Sequence, residues 1–191
     1  MPRKPTFAVD CDDVLADFTT PMLEVIFQVT GERYTLEDFK EWDYLNDPRI
    51  YPHRREIWDR IKVPGIGLTY NVIPGVRKGL HQLRKVANVF VCTAGMQGEN
   101  FVADRVKWLK RLGFDFKTEM VFTCNKRLIR ADVLVDDNPE NVNFFKVTHP
   151  DSVAVLWKPP GRTKDYPVME GVEKASDWGT LVDLARRLRC H

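Results

Sequence analysis

The chain has 191 residues, enough for one domain with a sizeable core and a modest insertion. With 43% hydrophobic and 29% charged residues and a net charge of +2, it has the balance of a soluble globular protein and gives no electrostatic case for an obligatory nucleic-acid partner. No apolar run reaches the roughly 20 residues of a transmembrane helix, and Asp10 breaks the first apolar run too early for a signal peptide. No membrane partner and a cytoplasmic location are therefore expected. The four cysteines (Cys11, Cys92, Cys124 and Cys190) lack the paired spacing of a zinc site or a disulfide framework, so they read as reduced thiols that fit the same location.

In chain order, Thr6 to Asp10 reads as a buried strand that runs straight into Asp10-Cys11-Asp12-Asp13. The side-chain period of a strand would put Asp10 and Asp12 on one face if the extended path continues that far. Two carboxylates so close repel unless one is protonated or a cation lies between them. A plain polar turn is the alternative, since Asp is common there. Val14 to Val29 has helical apolar spacing that Gly31 closes, Thr35-Leu36-Glu37-Asp38 has an N-cap pattern that starts a short helix towards Trp42, and a charged helix covers Arg54 to Ile61. Residues 20–71 thus hold helices and aromatics but no central strand. They predict a small helical cap inserted after the first strand, with 1–19 and 72–191 forming the core.

Pro74-Gly75 opens a helix to Val86, and Asn88 to Thr93 is the second strand. Gly95 and Gly98 form a loop before a helix from Phe101 to Leu112. Met120 to Thr123 and Asp132 to Asp137 read as the third and fourth strands, with a helix starting at Asn138-Pro139-Glu140. Ser152 to Leu156 is the fifth strand. A Pro/Gly-rich loop from Lys158 to Pro167 follows, and Ser176 caps a last amphipathic helix to Leu188. This alternation predicts an α/β fold, a Rossmann-like parallel sheet of about five strands flanked by helices.

In such sheets ligands bind beyond the carboxyl ends of the strands. Asp10 and Asp12 end the first strand, Thr93 the second, and Asp136 and Asp137 the fourth, while Lys126 follows the third. Each has an ordinary alternative: a β-branched strand residue, a solvated loop lysine beside Arg127 and Arg130, an acidic turn before an Asn cap. Their shared edge points to a hard cation such as Mg²⁺, which prefers oxygen ligands. A lysine and a hydroxyl beside it could hold a phosphoryl group, and a remaining carboxylate could attack phosphorus or move protons.

Asp10-Cys11-Asp12-Asp13-Val14, Thr93, Lys126 and Asp136-Asp137 occur in the order of the four motifs of the haloacid dehalogenase (HAD) superfamily phosphohydrolases, which the chain resembles over most of its length. Asp12 through Phe18, Val91-Cys92-Thr93, Lys126 with Ala131 through Asp137, Val106 through Leu109 and Asp177-Trp178 more narrowly resemble the 5'(3')-deoxyribonucleotidases. The resemblance implies a Mg²⁺-dependent phosphatase with Asp10 as nucleophile and Asp12 as general acid and base. It implies a metal held by Asp10, Asp136 and the backbone carbonyl of Asp12, with Asp137 behind them. Thr93 and Lys126 would hold phosphoryl oxygens, Arg105 would be a second phosphate contact, and the substrate would be a small phosphomonoester such as a nucleoside monophosphate.

The chain departs from that pattern in places. Asp13 stands where many nucleotidases have Gly, Ala94-Gly95 where they have Ser-Pro, and Ile66-Gly67-Leu68 where relatives carry an aromatic pair. Phe39, Trp42, Trp58 and Tyr70 are candidates to contact a base, or to pack the cap's own core. Three other readings compete: another small phosphorylated metabolite or a nucleic-acid 3'-phosphate as substrate, a HAD-like protein that binds phosphate without hydrolysis, and a receiver domain. The last fits poorly, because the acidic pair follows the lysine and a receiver has no inserted cap. An oligomer is compatible with the sequence.

Overall fold

In the computed structural model, which describes residues 3–95, 99–159 and 162–189, six strands carry the fold: β1 (Thr6–Val9), β2 (Asn88–Thr93), β3 (Met120–Phe122), β4 (Val133–Asp136), β5 (Val153–Trp157) and β6 (Val172–Ala175). All pair in parallel, in the order β3-β2-β1-β4-β5-β6. The central strands read as continuous apolar runs because both their faces are covered. Phe7 and Val9 point into one cluster with α3 (Val76–Val86), α4 (Glu99–Arg111) and α6 (Trp178–Arg189), while Ala8 joins α5 (Pro139–Thr148) on the other face.

The sheet has six strands where the sequence pattern predicts about five. β6 is Val172-Glu173-Lys174-Ala175, an edge strand with its middle exposed, so no apolar run announces it. The first cap helix, α1 (Thr19–Thr30), starts later than its periodicity predicts. Residues 11–17 form a tight turn instead, with Leu15 and Ala16 both donating to the Cys11 carbonyl and Asp13 in the left-handed region at φ 53°. The last helix is capped by Asp177 and not Ser176, since the Thr180 N–H and hydroxyl both donate to the Asp177 carboxylate. Gly98, assigned to a loop from the sequence, lies outside the described residues.

Between β1 and α3 the chain makes α1, α2 (Arg54–Ile61) and four single 3₁₀ turns, with no strand. Gly31 ends α1 in the left-handed region with its N–H on the Phe27 carbonyl, and a reciprocal Thr35–Asp38 capping box opens the first 3₁₀ turn. Met22, Ile26, Phe39, Ile50, Ile57 and Ile61 bury one another in an apolar cluster separate from those of the sheet. The chain leaves and rejoins the core through adjacent segments. Ala16 pairs antiparallel with Val72, the Asp17 N–H donates to Asn71 and the Ile73 N–H donates to Leu15.

Helices α3 and α6 approach closely because Gly79 has no side chain. A Cβ there would lie 2.1 Å from the Trp178 ring. Glycine inside a helix normally costs stability relative to alanine, yet Gly79→Ala is expected to destabilise by about 1–3 kcal/mol or more, because the overpacking outweighs the gain in propensity. Urea denaturation reads the sign, and a stabilised variant would contradict this contact.

Candidate active site

The strand order reverses between β1 and β4, and the crevice above that switch point is where an open α/β sheet binds ligands. Asp10 follows β1 directly, its N–H still bonded to the Val135 carbonyl at 2.9 Å. Asp136 is the last residue of β4. Between them lies Lys126, which opens a 3₁₀ turn after β3 and is buried, with Nζ 2.8 Å from Asp10 Oδ1 and 2.5 Å from Asp136 Oδ2. Asp136 also accepts from the Asn138 N–H at 2.9 Å and Asn141 Nδ2 at 3.1 Å, so the start of α5 helps hold it. A buried ammonium placed between two buried carboxylates keeps all three in fixed geometry.

Asp137 completes an acidic trio. Carboxylate oxygens of Asp10, Asp136 and Asp137 lie within 4.8 Å of one another, and all three residues are buried. A hard, all-oxygen donor set of this kind fits a divalent cation such as Mg²⁺. The electrostatics of the trio agree with that fit. Burial raises the Asp10 pKa from 3.8 to about 7; Lys126 opposes the rise, while Asp136 and Asp12 add to it. Asp137 is pushed well above the usual carboxylate range by burial and by Asp13, against the pull of Arg162. Burial alone would lower the Lys126 pKa, but Asp10 and Asp136 outweigh it and raise the value.

Asp12 does not share a partner with Asp10. The extended path ends at Val9, and after the turn the Asp12 carboxylate pairs with Arg105. Arg105, on α4, is fully buried; its guanidinium also donates to Cys11 Sγ at 3.0 Å and lies 4.9 Å from the Phe101 ring centre. The residue read from sequence as a second phosphate contact is thus held against the side chain read as acid and base. Thr93 ends β2 with its hydroxyl buried and without a hydrogen-bond partner among the described residues, a donor available to a ligand oxygen.

Asp13 and Arg162 also belong to the site, although no sequence motif assigns either a role. The Asp13 carboxylate accepts from the N–H groups of Phe18 (3.1 Å) and Thr19 (3.0 Å) and from the Thr19 hydroxyl, so it caps the start of α1. Its left-handed backbone is a conformation that suits Gly. Arg162, in the loop after β5, reaches Asp137 Oδ2 at 3.3 Å and lies 3.8 Å from Asp13. The rule that led to the other strand ends, applied to the loop leaving β5, would have flagged it.

Above the acids is a cavity of ≈ 270 Å³. Asp10, Asp12, Asp13, Lys126 and Asp137 line its floor, and Phe18, Met22, Trp42, Tyr44, Arg54 and Trp58 reach it from the cap side. Of the four cap aromatics singled out from sequence, Trp42 and Trp58 line the cavity, and Trp42 Nε1 donates to Asp137 at 3.2 Å. Phe39 packs within the cap cluster beside Tyr34 and Tyr44. Tyr70 packs edge-on against Phe18 in the core. The Ile66-Gly67-Leu68 turn packs towards α4, where a Cβ on Gly67 would lie 3.1 Å from Asp104.

Comparisons with known proteins agree with this geometry. The family model described as "5' nucleotidase, deoxy (Pyrimidine), cytosolic type C protein" matches residues 4–189. The chain is 27% identical over 146 residues to the 5'(3')-deoxyribonucleotidase of Clostridium acetobutylicum, covering 75% of this chain and 79% of that one. It is likewise 27% identical over 149 residues to the 5'(3')-deoxyribonucleotidase of Bacillus subtilis, covering 75% and 81%. Among solved structures, a haloacid dehalogenase-like family hydrolase from Xanthomonas campestris superposes with a TM-score of 0.60 at 11% identity, covering 100% of this chain and 98% of that one. A HAD-type hydrolase from Bacillus subtilis, solved bound to magnesium, superposes at 0.58 and 12%, covering 96% and 99%. At these identities the structural likeness speaks for the fold.

The raised pKa of Asp10 makes a signed prediction for the metal-free protein. A folded value near 7 against 3.8 unfolded means that the folded state holds the proton more tightly. That contribution is complete below pH 3.8 and is lost as pH rises through about 7, and burial shifts Asp13 and Asp137 in the same direction. In EDTA, urea-denaturation stability is therefore expected to fall between about pH 4 and pH 7, and a saturating divalent cation should flatten the decline. A decline of equal steepness with and without the cation would count against a metal at the trio.

Proposed function

Because the chain belongs to the 5' nucleotidase, deoxy (pyrimidine), cytosolic type C family, and is on that ground a phosphoric monoester hydrolase, we propose that it removes phosphate from nucleoside monophosphates through an aspartyl-phosphate on Asp10. The observation that carries this reading is the buried Asp10–Lys126–Asp136 unit at the switch point, facing a cavity that the cap roofs with aromatics. An Asp10 carboxylate oxygen attacks phosphorus, and the phosphorus–oxygen bond to the sugar breaks as Asp12 gives its proton to the departing alkoxide. Asp12 then takes a proton from water, which attacks phosphorus and releases Asp10 and inorganic phosphate. The Thr93 hydroxyl and the Lys126 ammonium hold phosphoryl oxygens as charge spreads over them.

Mg²⁺ bound by Asp10, Asp136 and the backbone carbonyl of Asp12, with Asp137 behind, would supply neutralising charge for the phosphate dianion. Arg105 holds the Asp12 carboxylate ready at the cavity wall. In this reading residues 20–71 act as the cap and 1–19 with 72–191 as the catalytic core. Trp42 and Trp58 offer flat faces to a base, and the Asp43–Arg54 pair offers polar groups beside them. A cavity of ≈ 270 Å³ fits a mononucleotide better than a polymer end. The buried, unpaired Cys11 and Cys92 suit a reducing cytoplasm.

Two measurements test the proposal. Asp10→Asn is expected to lower phosphate release in Mg²⁺ by at least ~10³-fold while the far-UV circular dichroism is retained. Wild-type-like turnover would remove Asp10 as nucleophile. A panel of nucleoside 5'- and 3'-monophosphates beside sugar phosphates should show the nucleotides as the better substrates by kcat/KM. Hydrolysis of the sugar phosphates alone would overturn the nucleotide assignment and leave the phosphatase chemistry standing.

A further inference from the structure

Around the candidate site, five carboxylates (Asp10, Asp12, Asp13, Asp136 and Asp137) meet three cations (Lys126, Arg105 and Arg162). The excess is two negative charges, the complement of one divalent cation. Lys126 serves Asp10 and Asp136, and Arg105 serves Asp12, so Arg162 is left with Asp13 and Asp137. These two acids come from different parts of the chain, the turn after β1 and the residue after β4, and each is buried. We propose that Arg162 is a positioning residue whose guanidinium is the counter-charge that lets Asp13 and Asp137 stand together at the edge of the metal-binding trio.

Three observations carry this. The Arg162 side chain is 4% exposed, although it sits in a loop, where a solvated arginine would be the default. Its Nε is buried without a hydrogen-bond partner among the described residues, so the group is held there at some cost in hydrogen bonding; Asp13 and Asp137 are the acids it meets, with the Tyr166 ring centre 5.8 Å away. The loop is also fastened so that this side chain points inward. The Thr163 N–H and hydroxyl donate to the Glu37 carboxylate, and Lys164 Nζ donates to the carbonyls of Glu37 (2.6 Å) and Phe39. Arg162 and the cap residue Trp42 then converge on the same oxygen, Asp137 Oδ2. One core loop thereby neutralises the far side of the acidic trio and grips the cap above it.

The inference rests on the proposed metal site, and its test is built to separate the two. Thermal melts are compared for the wild type, D13N, R162Q and the double variant R162Q/D13N, each in EDTA and in saturating Mg²⁺. In EDTA, R162Q takes away the counter-charge of Asp13 and Asp137 and is expected to melt lower by on the order of 10 °C. D13N removes one of the two acids that Arg162 faces, so R162Q should cost substantially less in the D13N background than in the wild type, and that difference is the recovery. Mg²⁺ should raise the melting temperature of R162Q more than that of the wild type, because the cation meets a larger negative charge. If Arg162 only packs the loop, D13N gives no recovery and Mg²⁺ lifts both proteins equally, and either result overturns the inference. The recovery is read in EDTA, so it stands or falls separately from the metal; a melting temperature unmoved by Mg²⁺ in every protein would instead remove the metal reading.

Discussion

Carboxylates buried together at one edge of a sheet repel each other, and much of this molecule is arranged around their neutralisation. At a few ångströms and low effective dielectric the repulsion is worth several kcal/mol, comparable with the whole stability of a domain. Three buried cations, Lys126, Arg105 and Arg162, are each set against one or two of the acids, and each comes from a different segment: the turn after β3, helix α4 and the loop after β5. The residual negative charge is what a divalent cation would complete. In the proposed reading, acids that are costly to the fold are what the chemistry requires, which is the usual tension between stability and function at such sites.

The topology explains why these residues can be neighbours at all. β1 and β4 lie side by side although they are far apart in sequence, because the chain winds outward from β1 in one direction and from β4 in the other. Side chains at those strand ends project into a shared crevice. The cap fills the space above. It leaves from residues 15–17 and returns at 71–73, beside the acids, so its position and theirs are set by the same short paired segments.

The parts of this arrangement legible in the sequence are those fixed by local pattern. Five strands show as apolar runs, α2 shows its bounds, Gly31 ends its helix, and Thr35 and Asp38 form their box. Asp10, Thr93, Lys126 and Asp136-Asp137 could be placed at one edge because each follows a recognisable strand. What escaped depends on tertiary context. β6 is a polar edge strand whose pairing with β5 comes from register and not from hydrophobicity. Arg162 lies in a loop with no period, and its burial follows from two acids remote in sequence. The divergence of Asp10 from Asp12 follows from a turn that the apolar pattern of Val14 and Leu15 disguised as the start of a helix.

Asp13 shows how these levels meet in one residue. Its left-handed backbone would cost most residues about 1–2 kcal/mol, although Asp tolerates it better than most, and Gly would avoid it. Gly could not return what the carboxylate returns: two N–H bonds and a hydroxyl bond at the start of α1, and a counterpart for Arg162. Charged hydrogen bonds of this kind contribute about 1.5–3 kcal/mol each, which offsets part of the cost of the strained turn and of a burial that raises the acid's pKa. The same carboxylate raises the pKa of Asp137 and so adds to the repulsion at the acidic trio. An acid at this position thus suits a chain that also carries a buried arginine within reach, and the two residues are best understood as one unit.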